Sequence, residues 1–248
     1  WAEWGVEEMS DVHDVDLWYE CNPSMGTILT ERKVQDEITA DDVDFNIQRL
    51  GLWLKYNQKS AISEGTWDEL LVDKVEVTGK VFVGIKYSHE GESVAMSVAA
   101  KTTDGRIFVE ALDCRSVSEG NGWIISALSK LHTQRNAVYI DGASGQQLLA
   151  TDMKANKMKP PVLPTVKEFI VANSSFEQAI YLKTLCHSNQ PSLKRIITNC
   201  EKRKIGSGGG FGYKSILEGA DVALMDSAIL AYYSCSVAKE PKKQHIGY

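Results

Sequence analysis

Three strand-like runs in quick succession, followed at once by alternating helix and strand, most constrain what this chain can fold into. Val81-Phe82-Val83-Gly84-Ile85, Ser93 to Ala100 and Arg106 to Cys114 are rich in strand-favouring residues. Thr103-Asp104-Gly105-Arg106, between the second run and the third, is a hairpin signal. Trp123 to Leu131 then recurs at helical spacing, Ala137 to Asp141 is a fourth strand, and Gln146 to Lys157 is a helix. Val162 to Thr165 reads as a short fifth strand, Thr165 to Leu185 as a helix, and Pro191 to Cys200 as another, with Pro191 suited to its first turn. Glu218 to Cys235 closes the chain as an apolar helix. Strands joined by tight turns pair antiparallel, and strands joined through helices run parallel. The pattern predicts an α/β domain with a mixed sheet and helices on both faces.

Within that frame the fourth strand carries chemistry. It ends on Asp141, and Gly142-Ala143-Ser144-Gly145 follows before the next helix. Ligands of open α/β sheets bind in the crevice beyond the carboxyl ends of the strands. A carboxylate there is a metal-ligand candidate, although Asp-Gly after a strand is also ordinary turn chemistry. The closing helix supplies a second carboxylate, Asp226, inside the apolar run Ala223 to Tyr233. A charge in such a run is costly unless paired or metal-bound, unless it instead caps the helix or faces solvent. Two convergent carboxylates would hold Mg²⁺ or Mn²⁺, which activate water and offset charge on a phosphodiester. Asp221, five residues earlier, shares that helix face poorly.

Residues 1 to about 75 differ from the rest. Five of the six tryptophans lie there, among dense acids, and the segment has no strand alternation. Asn22 to Gly26 reads as a turn. Thr30 to Ile38 reads as a helix with Thr30 as its N-cap, and Asp44 to Tyr56 as a second helix. This segment is expected to be helical, ahead of an α/β domain over residues 76–248.

Several function classes are excluded or weakened. The net charge of −6 argues against a protein that coats nucleic acid with its whole surface, but leaves room for a local basic patch. Glu201-Lys202-Arg203-Lys204, with Lys194, Arg195 and Lys214, is a candidate for one. The five cysteines are scattered and form no Cys-x-x-Cys, which fits free thiols rather than zinc. No apolar run reaches the ~18 residues of a membrane span, and no signal peptide is evident. The glycine-rich run Gly206 to Tyr213 reads as a flexible loop. It is not a phosphate loop, because Tyr213 separates Gly212 from Lys214. A nucleotide-binding kinase-like protein is disfavoured accordingly. Ser144 lacks the nucleophile-elbow pattern. His187 has no metal-ligand spacing to another histidine and reads as a structural loop residue. The chain starts at Trp1 without methionine, which reads as a piece of a longer protein.

Taken in order, these segments resemble the C-terminal part of the large terminase subunit of tailed bacteriophages. Trp18 to Gly26 and Phe45 to Trp53 are similar to the segment that ends the ATPase part and leads into the nuclease. Val83-Gly84-Ile85 resembles the first nuclease strand, and Tyr139-Ile140-Asp141 the strand that carries a metal ligand. His187 to Leu193 is similar to a family segment of the form His-x-x-Asn-x-x-Leu, and Asp226 matches the last metal ligand. The resemblance implies a ribonuclease H-like fold, for which an antiparallel meander followed by a parallel half is the expected order. It implies a metal-dependent endonuclease that cuts concatemeric double-stranded viral DNA, using Asp141, Asp226 and Mg²⁺ or Mn²⁺. The implied partners are the portal and the small terminase subunit, and the implied setting is the cytoplasm of the infected host. ATPase motifs are absent. One position departs from the family: an Asp usually follows Gly-Ile on the first strand, and here that residue is Lys86. Three expectations follow. The domain is a weakened or inactive DNA- or partner-binding module; or Glu90, Glu92 or Glu110 supplies the missing ligand; or the Lys86 ammonium fills one metal position itself.

Overall fold

The structure, a computed structural model, describes residues 4–6, 9–38, 42–52, 60–131, 133–206, 208–217 and 219–238. It divides into two compact units, Trp1–Gln58 and Lys59–Tyr248.

The first unit carries three short helices: α1 (Val15–Cys21), α2 (Glu31–Asp36) and α3 (Asp42–Arg49). Asp14 caps α1 and Thr30 caps α2, each accepting from backbone N–H groups that the first helical turn leaves without partners. Trp18, Val34, Phe45 and Leu50 form the core, and the Trp18 indole donates to the Val12 carbonyl at 2.9 Å. Asn22 to Gly26 is a turn, as expected, closed by Met25 N–H on the Asn22 carbonyl. Trp53 to Tyr56, read as the end of the second helix, lie outside the described residues, as do Trp1 and Glu218.

The second unit opens with α4 (Glu64–Asp68), whose Trp67 joins the core beneath the sheet. The sheet follows: β1 (Val77–Tyr87), β2 (Ser93–Thr102), β3 (Ile107–Ser116), β4 (Arg135–Asp141) and β5 (Leu185–Cys186), in the order β4-β1-β2-β3-β5. β1, β2 and β3 form the antiparallel meander. β4 runs parallel beside β1, and β5 parallel beside β3. The remaining elements are α5 (Gly122–Lys130), α6 (Gln146–Ala155), α7 (Val166–Tyr181), α8 (Pro191–Ile197), β6 (Cys200–Ile205), β7 (Gly210–Ser215) and α9 (Ala223–Ser236).

Alternation along the strands divides the core in two. Val83, Ile85, Val138 and Ile140 face α5 and α6 through Ile124, Leu128, Leu149 and Met153. Phe82, Ala95, Ala99 and Val109 face the other way, onto α7, α8 and α9. Helix α9 is buried nearly all round, as a helix laid between a sheet and other helices must be. It reaches the sheet because Gly84 has no side chain. A Cβ there would stand 2.1 Å from the Ser227 carbonyl oxygen and 2.5 Å from the Ala231 nitrogen.

Three expectations are corrected. Val162 makes a single bridge to Tyr139 rather than a strand, because Pro160, Pro161 and Pro164 around it have no N–H to extend a ladder. The helix expected to run to Cys200 stops at Ile197, and Cys200 begins a strand. The glycine-rich run is the tip and second strand of the β6–β7 hairpin, with Gly206 and Gly209 at positive φ making the turn.

Candidate active site

The parallel pairing of β1 with β4 places Lys86 directly beside Asp141. Both point to the α9 face of the sheet, because Ala137, Tyr139 and Asp141 alternate with the Val138 and Ile140 that face α5 and α6. Tyr139 confirms the direction through an edge-on contact with Tyr233 of α9 at 6.3 Å. Asp226 comes from the first turn of α9, which Gly84 allows to lie against β1.

The three charged groups meet. The Lys86 ammonium lies 2.5 Å from Asp141 Oδ2 and 3.7 Å from Asp226 Oδ2. It also sits 4.4 Å from the centre of the Phe169 ring of α7, a cation–π contact. Asp226 is 2% exposed, so it neither faces solvent nor caps the helix. Its Oδ1 is buried and has no hydrogen-bond partner among the described residues. Burial pushes the Asp226 carboxyl up to about 6, against the opposing pull of Lys86 and Arg203. Burial therefore outweighs the nearby positive charge at this carboxyl.

The group opens into a cleft of about 690 Å³ whose wall includes Lys86, Asp141, Asp226, Arg203, Lys214 and Asp221. Asp221 precedes α9 and is already committed. It accepts from the Ala223 N–H and the Ser93 hydroxyl, each at 2.6 Å. Glu90 and Glu92 are exposed on the rim. Glu110 does not join them. It alternates with Val109 and Ala111, which face α9, and so lies on the other side of the sheet.

Three of the six cations in the basic patch expected from the sequence are paired with carboxylates. Lys194 pairs with Glu64 and Asp68, Lys202 with Glu177, and Lys214 with Glu201. Arg203 stands apart: it lines the cleft, and its Nε donates to the Tyr213 carbonyl at 3.1 Å. No carboxylate pairs with it within 4.0 Å among the described residues, so the outer guanidinium nitrogens remain available. His187 is structural. Its ring stacks on Trp67 at 4.0 Å, Nε2 meets the Trp67 carbonyl at 2.8 Å, and Nδ1 accepts from the Asn189 N–H.

Gly84 and Phe169 were not read from the sequence as parts of the site. A glycine inside a strand signals a close backbone approach, and that signal was present at Gly84. Phe169 carries no such signal, since an apolar helix position says nothing about the charge lying over it.

The donor set suits one divalent ion. Mg²⁺ is commonly held by one or two carboxylates with water completing its shell. Asp141 and Asp226 supply two carboxylates, and the unpartnered Asp226 Oδ1 is a free donor atom. No group of three or more acidic, histidine or cysteine ligands converges among the described residues, so a two-ion set is not supplied.

The family described as terminase large subunit, endonuclease domain, matches residues 4–154, more than half of the chain. The chain belongs to this family. Asp141 of the terminase endonuclease domain lies inside the matched stretch and Asp226 beyond it. Among solved structures the domain is similar to the large terminase of bacteriophage HK97. The two share 15% identity, covering 92% of this chain and 56% of that one, with a TM-score of 0.56. It is also similar to the large terminase nuclease from thermophilic phage G20c, at 17% identity over 68% of this chain and 95% of that one, with a TM-score of 0.48. The HK97 likeness establishes the ribonuclease H-like fold of the terminase endonuclease domain, which spans 56% of that longer protein. No curated protein matches the chain.

Proposed function

We propose that this chain is the metal-dependent endonuclease domain of a viral DNA-packaging terminase and cuts concatemeric double-stranded DNA. What supports the reading is the convergence of Asp141 and Asp226, from a strand tip and a helix, on a single cationic position in a cleft. Asp141 and Asp226 would hold Mg²⁺ or Mn²⁺. When bound, such an ion supplies a water of lowered pKa and offsets charge on the phosphodiester. Arg203 would hold a backbone phosphate through its free guanidinium edge. Residues before the sheet are then the lead-in from a preceding ATPase part. The portal and small terminase subunit are the partners expected of the full assembly, in the infected host's cytoplasm.

The Lys86–Asp141 ion pair supports a second reading, a DNA- or partner-binding module whose chemistry is weakened. Plasmid cleavage with Mn²⁺, Mg²⁺ or EDTA separates the two. Under the nuclease reading the parent nicks DNA with metal, EDTA stops it, and Asp141→Ala and Asp226→Ala each abolish it while the fold persists by circular dichroism. Cutting retained in either variant refutes the assignment of these ligands. No cutting under any metal condition favours the binding module.

A further inference from the structure

The Lys86 side chain is only 12% exposed, and its nitrogen lies between two carboxylates at 2.5 Å and 3.7 Å. Three features fix it there. Strand register sets Lys86 beside Asp141 on the same face. The missing side chain of Gly84 lets α9 bring Asp226 to the other side. The Phe169 ring, itself 6% exposed, closes over the ammonium.

We propose that Lys86 is an internal cation that holds the position shared by Asp141 and Asp226, so that a divalent ion enters between them only when the ammonium withdraws. The inference rests on the reading above that these carboxylates are the metal ligands, and it adds the group that controls their occupancy. A divalent ion held by Asp141 and Asp226 would compete with the ammonium for the same two carboxylates and would be repelled by its charge. Arg203 lines the same wall, so the two positive side chains together would face the incoming ion. The ammonium satisfies Asp141, yet Asp226 Oδ1 remains without a hydrogen bond. The geometry is that of a carboxylate pair neutralised in part, which keeps an unused ligand atom for a cation of higher charge.

The test reads metal binding rather than DNA cleavage. Mn²⁺ is titrated by calorimetry into the full chain and into Lys86→Met, Lys86→Gln and Lys86→Arg. Methionine keeps most of the stem against Phe169 and removes the charge, glutamine keeps a polar end, and arginine keeps the charge. Melting curves check that each variant is folded. The expected result is a Kd for Mn²⁺ at least tenfold lower in Lys86→Met or Lys86→Gln than in the parent, no gain in Lys86→Arg, and loss of the gain when Asp141→Asn is added. Equal affinity in the parent and the two neutral variants overturns the proposal, as does a gain that survives Asp141→Asn. Two neutral variants are carried so that one misfolded protein does not decide the matter. The two readings fail separately. A parent and a Lys86→Met protein that both leave DNA intact, with Mn²⁺ bound at least tenfold more tightly by the variant, refute the nuclease and leave this inference standing. A parent that cuts DNA and binds Mn²⁺ as tightly as Lys86→Met does the reverse.

Discussion

Replacing Gly84 with alanine tests whether the site depends on how closely α9 lies on the sheet. The added Cβ would stand 2.1 Å from the Ser227 carbonyl oxygen, 2.5 Å from the Ala231 nitrogen and 3.0 Å from Leu230 Cβ. Two of these neighbours are helix backbone, which cannot rotate away as a flexible side chain would. The helix must retreat by roughly an ångström to restore ordinary contact distances. Retreat also strains the buried Ser97–Ser227 hydroxyl pair, now at 2.6 Å. Overpacking of a core typically costs ~1–3 kcal/mol, and a backbone clash belongs at the upper end. A loss of about 3 kcal/mol in a domain of this size lowers the melting temperature by about 6–12 °C. Far-UV circular dichroism during heating measures it. Gly65→Ala is the control: that glycine lies in α4 with nothing within 4 Å of its would-be Cβ, so alanine should be neutral or slightly stabilising. The same retreat carries Asp226 away from Asp141, so Gly84→Ala added to Lys86→Met should remove the gain in Mn²⁺ affinity. A Gly84→Ala protein that melts within ~2 °C of the parent would refute the argument that helix approach at this glycine assembles the site.

Two further outcomes follow from particular side chains. Arg203→Ala should weaken binding of duplex DNA by a similar factor on unrelated sequences and reduce the slope of log affinity against log salt by about 1, as loss of one phosphate contact does. An unchanged salt dependence in a filter-binding or anisotropy series would remove Arg203 from the DNA path. His187 is held below its ordinary 6.5 chiefly by burial, and its neutral form already uses both ring nitrogens. The unfolded state then takes up the proton first as pH falls, so the stability that the neutral ring contributes is present above 6.5 and lost progressively below it. Urea unfolding at pH 7.5 and 5.5 should show a smaller drop in His187→Phe than in the parent, whatever the absolute stability of the variant. Parallel losses in the two proteins would show that His187 is not the group responsible.

Much of the fold was legible in the chain because short-range chemistry specifies it. The hairpin at Asp104-Gly105, the Thr30 cap and the strand-favouring runs of β1 to β4 each follow from residues close in sequence. The readings that failed are those where local signals were ambiguous. A glycine run suits a mobile loop and a tight hairpin turn equally well, and only the pairing of Cys200–Ile205 with Gly210–Ser215 separates them. Likewise Lys194 and Lys202 read as part of a basic patch until Asp68 and Glu177 are brought beside them, and Lys214 until the β6–β7 pairing sets it against Glu201.

The candidate site divides along the same line. Sequence by itself determined that a carboxylate ends a strand, that another lies inside an apolar helix, and that a lysine stands on the first strand. Each of those statements depends only on neighbouring residues and on the strand and helix periods. The resemblance put the three in one site, and only the tertiary structure decided their separations and their burial. Strand register set Lys86 opposite Asp141, and a missing Cβ at Gly84 admitted the backbone of α9 with Asp226. Electrostatic energy depends on separations of a few ångströms and on burial, and neither distance is encoded in spacing along a chain in which Lys86 and Asp226 lie so far apart.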